Sequence, residues 1–226
     1  MLKRMLLLAG TALLVTAPAH AKLIPAQGPT LTVQGTNSAV PYDASTGKGT
    51  LSGYQFTQNG NSLTVNANTD ADPFSILSVA FTDDGAPDTF SGLLITPITP
   101  LTGKIQLVAN AAITGNDNVA NPNGGTLTPA LVLDPKTYTA FDVNGDIKLA
   151  LVTDPITYGN FASGFKGDNG TITVDCSLLS GGQCSSLSIA FGVNGAGGGD
   201  QGSVLAAVSV SQTPVAEPMT LALLGM

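Results

Sequence analysis

Apolar and polar residues alternate one by one through most of this chain. Leu63, Val65 and Ala67 are interleaved with Thr64, Asn66 and Asn68. Ile172, Val174 and Cys176 alternate with Thr171, Thr173 and Asp175, and Leu187, Ile189 and Phe191 with Ser186, Ser188 and Ala190. Val204, Ala206, Val208 and Val210 keep the same phase, broken only by Leu205. A period of two puts every second side chain on one face of an extended strand, so these segments read as half-buried strands. Phe74 to Phe81 is apolar at both phases and predicts a central strand; Ile105 to Ala109 and Ile147 to Val152 add two more. Helix patterns are nearly absent after residue 21.

The punctuation between these runs agrees with strands. Asn-Gly occurs at Asn59, Asn123, Asn144, Asn169 and Asn194. Both residues tolerate positive φ, which two-residue hairpin turns require. Gln58-Asn59-Gly60-Asn61 between two alternating runs predicts a hairpin. The pattern as a whole predicts an antiparallel β-sandwich of about ten strands, with a β-solenoid as the alternative. No regular repeat of solenoid length is present. An echo, Asp-Pro-x-Thr-Tyr-x-x-Phe, begins at Asp134 and again at Asp154, and reads as two similar turn-to-strand openings. The Gly-rich stretches Gly115 to Gly125 and Gly192 to Gly202 are expected to be surface loops.

The N-terminus has a different grammar. Lys3 and Arg4 precede an apolar run from Leu6 to Val15, and Ala19 and Ala21 supply small residues before Lys22. This is the layout of a secretory signal peptide cleaved after Ala21. Its apolar run of ten residues falls well short of the roughly twenty that span a bilayer. The organisation expected is therefore a leader at 1–21, a secreted domain at 22–213 and a tail at 214–226.

Loss of the leader removes Lys3, Arg4 and His20, and the net charge moves from −7 to −9. The secreted part then has no Arg and no His. That argues against nucleic-acid binding, which needs clustered cations. It also excludes His-dependent triads, His general bases and His-ligated zinc. No phosphate-binding, dinucleotide or nucleophile-elbow motif is present. With no Trp and a single Glu, at 217, a carboxylate-based glycosidase has little to build on. We therefore expect no enzyme. Cys176 and Cys184 bracket Ser-Leu-Leu-Ser-Gly-Gly-Gln and predict one local disulfide in an oxidising compartment, worth roughly 2 kcal/mol for so short a loop.

Candidate cation ligands are Asp142, Asn144 and Asp146, spaced like the opening of a calcium loop. Position six of that loop is Ile147 where glycine is needed, and position twelve is Thr153. A hairpin turning at Asn144-Gly145 explains the same residues. Asp83, Asp84 and Asp88, and Asp70 with Asp72, are further carboxylate groups. Each reads first as a turn satisfied by its own amides.

The tail runs Pro214-Val215-Ala216-Glu217-Pro218-Met219, then Thr220 to Gly225. It resembles the PEP-CTERM sorting signal, with Glu217 and Pro218 at the core and the following residues as the opening of its apolar helix. Ala216 replaces the usual first proline, and no basic cluster follows before Met226, so the signal is expected to be truncated here. The resemblance implies sorting by an exosortase-type machinery, passage through the periplasm of a Gram-negative-type cell and transient membrane association through the tail. It also implies a surface or matrix role beside exopolysaccharide. The alternatives carried forward are a Ca²⁺-dependent carbohydrate-binding or adhesin module and a His-free polysaccharide hydrolase.

Overall fold

The computed structural model describes residues 23–84, 86–117, 125–131, 133 and 135–212. The leader residues Ala19, Ala21 and Lys22 and the tail residues Glu217 and Pro218 lie outside them.

Among the described residues the chain forms fifteen strands and one 3-10 turn. In order they are β1 (Thr30–Val33), β2 (Thr36–Ala39), β3 (Tyr42–Asp43), β4 (Lys48–Gln58), β5 (Asn61–Asp70), β6 (Phe74–Asp83), β7 (Thr89–Leu101) and β8 (Lys104–Asp117). Then follow β9 (Gly125–Pro129), β10 (Thr139–Val143), β11 (Asp146–Leu151), β12 (Ile156–Tyr158), β13 (Ser163–Asp175), β14 (Cys184–Asn194) and β15 (Asp200–Gln212), the 3-10 turn lying at Cys176–Leu178. All strand pairings among the described residues are antiparallel. One sheet has the order β13-β8-β15-β6-β5-β4-β3; the other runs β11-β10-β14-β7-β1-β2, with β9 and β12 attached beside β14. The fold is the expected β-sandwich, with more and shorter strands than periodicity alone picks out.

The core lies between the sheets and follows the alternation. Leu63, Val65 and Ala67 on β5, Leu77, Val79 and Phe81 on β6, Ile105 to Ile113 at odd positions on β8, and Val204, Ala206 and Val208 on β15 line one inner face. Leu31, Val33, Phe90, Leu94, Ile98, Leu187, Ile189, Phe191 and Val193 meet them from the other sheet. β6 is central, paired with β5 and β15. Its second apolar phase (Phe74, Ile76) is nonetheless only half-buried, because no described element packs over the outer face of that sheet as closely as the partner sheet packs on the inner one. The buried hydroxyls of Ser75 and Thr96 satisfy each other at 2.8 Å, so this polar pair costs little.

Turn chemistry behaves as positive φ demands. Asn59-Gly60 joins β4 to β5 at φ 53° and 85°, and Asn144-Gly145 joins β10 to β11 at 55° and 81°. Gln34-Gly35 makes the same turn between β1 and β2, a hairpin the Asn-Gly search passes over. Asn169-Gly170 is no turn: it lies inside β13, paired with Asn110 and Ala109. The Asp-Pro-x-Thr-Tyr echo is not a structural repeat either. Phe141 is fully buried while Phe161, its counterpart, is 68% exposed with φ 53°. Cys176 and Cys184 form the disulfide that ties the 3-10 turn to the start of β14.

Deleting a core ring tests this packing. Phe191→Ala is expected to lose about 3–5 kcal/mol of unfolding free energy in urea, whereas Leu178→Ala, at an 82% exposed position, is expected to stay within about 0.5 kcal/mol.

Candidate functional site

The inner face of the seven-stranded sheet is mostly apolar, broken by hydroxyls such as Ser75 and Thr69, and turns acidic in its last row. There β15 pairs Asp200 with Asp83 of β6 on one side and with Asp117 of β8 on the other. Each aspartate continues the buried phase of its strand, after Phe81, after Ile113 and Gly115, and before Gly202 and Val204. Three carboxylates thus point between the sheets at one end of the sandwich. Asp83 and Asp200 are fully buried and Asp117 is 3% exposed. Sequence reading treats Asp83 as a solvated turn residue and singles out neither Asp117 nor Asp200. The legible signal was the phase: an Asp two residues beyond an apolar position on the same face.

The lid over this row is the β14–β15 connection, Gly195 to Gly199. It is expected to be a surface excursion, but Gly195, Gly197 and Gly199 are buried. The Gly197 amide donates to Asp83 Oδ2 at 2.9 Å and the Ala196 amide to Asp200 Oδ2 at 3.2 Å. Gly199 N–H bonds the Asp83 carbonyl at 2.7 Å and Gly195 N–H that of Asp88 at 2.9 Å. Glycine is required here twice over. Gly197, Gly198 and Gly199 all have φ between 77° and 94°, and a Cβ on Gly195 would meet Asp83 Oδ2 at 2.2 Å. From the opposite sheet, the Tyr158 ring closes over Gly115 and Gly125, and a Cβ on Gly125 would meet both that ring and Asp200 Oδ1.

The electrostatics are one-sided. Burial pushes the Asp83 carboxyl above its ordinary value; the Gly197 amide opposes this, and the charges of Asp200 and Asp88 add to the rise. Burial likewise raises Asp200, against the neighbouring Tyr158 hydroxyl and the Ala196 amide, with Asp117 adding to the rise. The Tyr158 hydroxyl is raised in turn, first by burial and then by Asp200. Asp83 Oδ1 and Asp200 Oδ1 are buried and accept no hydrogen bond of normal geometry from the described residues, with the Tyr158 hydroxyl beside Asp200. Such an arrangement resists full ionisation, because each charged carboxylate is both desolvated and repelled by its neighbours.

The residues singled out for calcium lie elsewhere. Asp142 Oδ1 accepts the Gly145 amide at 2.9 Å, and its Oδ2 accepts the Ser188 hydroxyl. Asn144 Oδ1 takes the Ser185 and Ser186 amides while its Nδ2 donates to the Gln183 carbonyl. Asp146 is paired with Lys148. These side chains pin the β10–β11 hairpin against β14, and a cation there would have to displace those protein donors. Asp70 Oδ1 accepts the Asp72 amide as a turn. Among the described residues no three His, Cys, Asp or Glu side chains already converge as a metal-ligand set.

On the outer face, Thr114, Asn116, Ser163, Gln201 and Ser203 line a shallow groove of about 330 Å³. Hydroxyls and amides dominate its walls, and the Thr114 and Ser203 hydroxyls are bonded at 2.8 Å.

A pH titration of stability in metal-free buffer checks the acidic row. Asp83 and Asp200 hold protons more tightly folded than unfolded. Their contribution is therefore complete below the unfolded value of 3.8 and is lost as pH rises through the higher folded value. Asp43, lowered to about 2 by the Ser45 hydroxyl and amide, acts oppositely and only below 3.8. The expected outcome is a Tm that falls as pH rises above about 4, a fall flattened by Asp200→Asn. Comparison with protein-family models and with curated proteins finds no match to this chain.

Proposed function

We propose that this is an exported, non-enzymatic protein of the cell surface or extracellular matrix, sorted through its PEP-CTERM-like tail and working beside exopolysaccharide. The observation that carries the reading is the Cys176–Cys184 disulfide in a chain that opens with a leader-type sequence. Disulfides persist where thiols are not kept reduced, which for such a chain is beyond the inner membrane. A sandwich whose sheets close on one apolar core, stapled at one end, suits a structural component that must last outside the cell.

Two features of the surface support the non-enzymatic, matrix-associated part. The inward-facing carboxylates lie beneath the Gly195–Gly199 lid, out of reach of a polymer chain. The open groove of Thr114, Asn116, Ser163, Gln201 and Ser203 offers neutral hydrogen-bonding groups of the kind that meet sugar hydroxyls. The acidic balance of the chain favours solubility and does not draw it to anionic surfaces.

Export is tested by expressing the chain with its leader in a Gram-negative host and analysing the fractions by mass spectrometry. The expected product begins at Lys22, is found outside the cytosol and has no free thiol. A cytosolic product that keeps Met1 and two reduced cysteines would overturn the reading. Glu217→Ala in an exosortase-bearing host is expected to leave cleavage at Ala21 intact while changing where the mature protein accumulates.

A further inference from the structure

We infer that the acidic row at the end of the sandwich is a binding site for a hard divalent cation of the calcium class, held by Asp83 and Asp200 with Asp117 beside them. This goes beyond the proposed function and does not depend on it.

The register places the three carboxylates side by side on β6, β15 and β8, all facing inward. The charges that act on Asp83 and Asp200 are those of other aspartates. A buried anion without a counter-charge is costly, and several together more so. Proteins resolve this by protonation, by pairing with Lys or Arg, or by a metal. Among the described residues, Lys148 and Lys166 are engaged away from the row, with Asp146 and Asp154.

The independent observation is the state of the oxygens. Asp83 and Asp200 are each 0% exposed, and in each Oδ2 accepts a lid amide while Oδ1 has no hydrogen bond of normal geometry from the described residues, the Tyr158 hydroxyl standing beside Asp200 and the Asp88 amide beside Asp83. One oxygen of each carboxylate is thus fixed by the lid, and the other is buried and only loosely engaged. Oxygen-only donors of this type select hard cations such as Ca²⁺, which tolerate irregular ligand sets completed by carbonyls and water. The carboxylates do not yet converge as a ligand set. Binding therefore includes a turn of their side chains toward one another, for which the lid amides act as pivots. The glycine lid also excludes bulk water, which strengthens the attraction.

The experiment uses the secreted chain and follows thermal unfolding at pH 7.5 in chelator, then in calcium chloride. Extracellular sites of this kind bind at about 10⁻⁴–10⁻³ M. Calcium in roughly hundredfold excess over Kd is expected to raise Tm by about 5 °C or more. Asp200→Asn is expected to abolish the rise, while Asp142→Asn, in the β10–β11 hairpin, keeps it. Terbium gives a second readout that does not depend on the stability of a carboxylate variant. The protein has no Trp and four Tyr, and Tyr158 is the one beside Asp200, so terbium in this row should be sensitised chiefly through Tyr158, and Tyr158→Phe should remove most of that emission while preserving the calcium-induced Tm rise. A Tm unmoved by calcium overturns the inference. So does a response lost in Asp142→Asn but kept in Asp200→Asn, or terbium emission indifferent to Tyr158→Phe.

Discussion

The structure depends on the pairing of β15 between β6 and β8. Ten partners run in register on one side and thirteen on the other, and this ladder fixes the phase of the whole seven-stranded sheet. A slip of one residue would turn Val204, Ala206 and Val208 outward and replace them with Ser203, Leu205 and Ala207. The opposite sheet, centred on β14 and β7, supplies the other half of the core and makes that slip prohibitive. The same ladder that protects the core carries Asp200 to a place between Asp83 and Asp117.

The two ends of the sandwich are therefore chemically unlike. β8 runs from Lys104 to Asp117, a span of about 45 Å at strand rise. At the Lys104 end the chain is covalently closed by Cys176–Cys184, since Asp175 pairs with Lys104 just before the bridge. At the Asp117 end it is held by backbone amides on carboxylates, under a loop that only glycine can build. At the first end a covalent bond holds the chain and Asp175 is kept charged by the Ser177 hydroxyl and amide; at the second, buried carboxyls resist ionisation.

The hairpin at Asn144 illustrates how one short motif supports two physical readings. Asp, Asn and Asp at alternate positions suit a cation loop, and they suit equally a turn whose side chains cap backbone groups of a neighbouring strand. The structure gives Asn144 three strand partners on the β14 side, at Gln183, Ser185 and Ser186. Hydrogen bonds to backbone atoms forty residues distant are invisible to spacing rules, which see only what is near in sequence.

Alternation alone determined the class of fold, the inward residues of β5, β14 and β15 and the hairpin at Asn59-Gly60, because strand period and turn φ are local properties. The cysteine spacing likewise made the Cys176–Cys184 bridge legible. The number of strands was not, since short strands such as Tyr42–Asp43 and Ile156–Tyr158 exist only because a partner offers them an edge. Nor was the burial of Gly195, Gly197 and Gly199, in a stretch whose composition is that of an exposed loop. Above all, only the tertiary structure brought Asp83, Asp117 and Asp200 into one row. They lie far apart along the chain, and the force that groups them is the hydrogen-bond register of three strands, a long-range pairing that no single segment encodes.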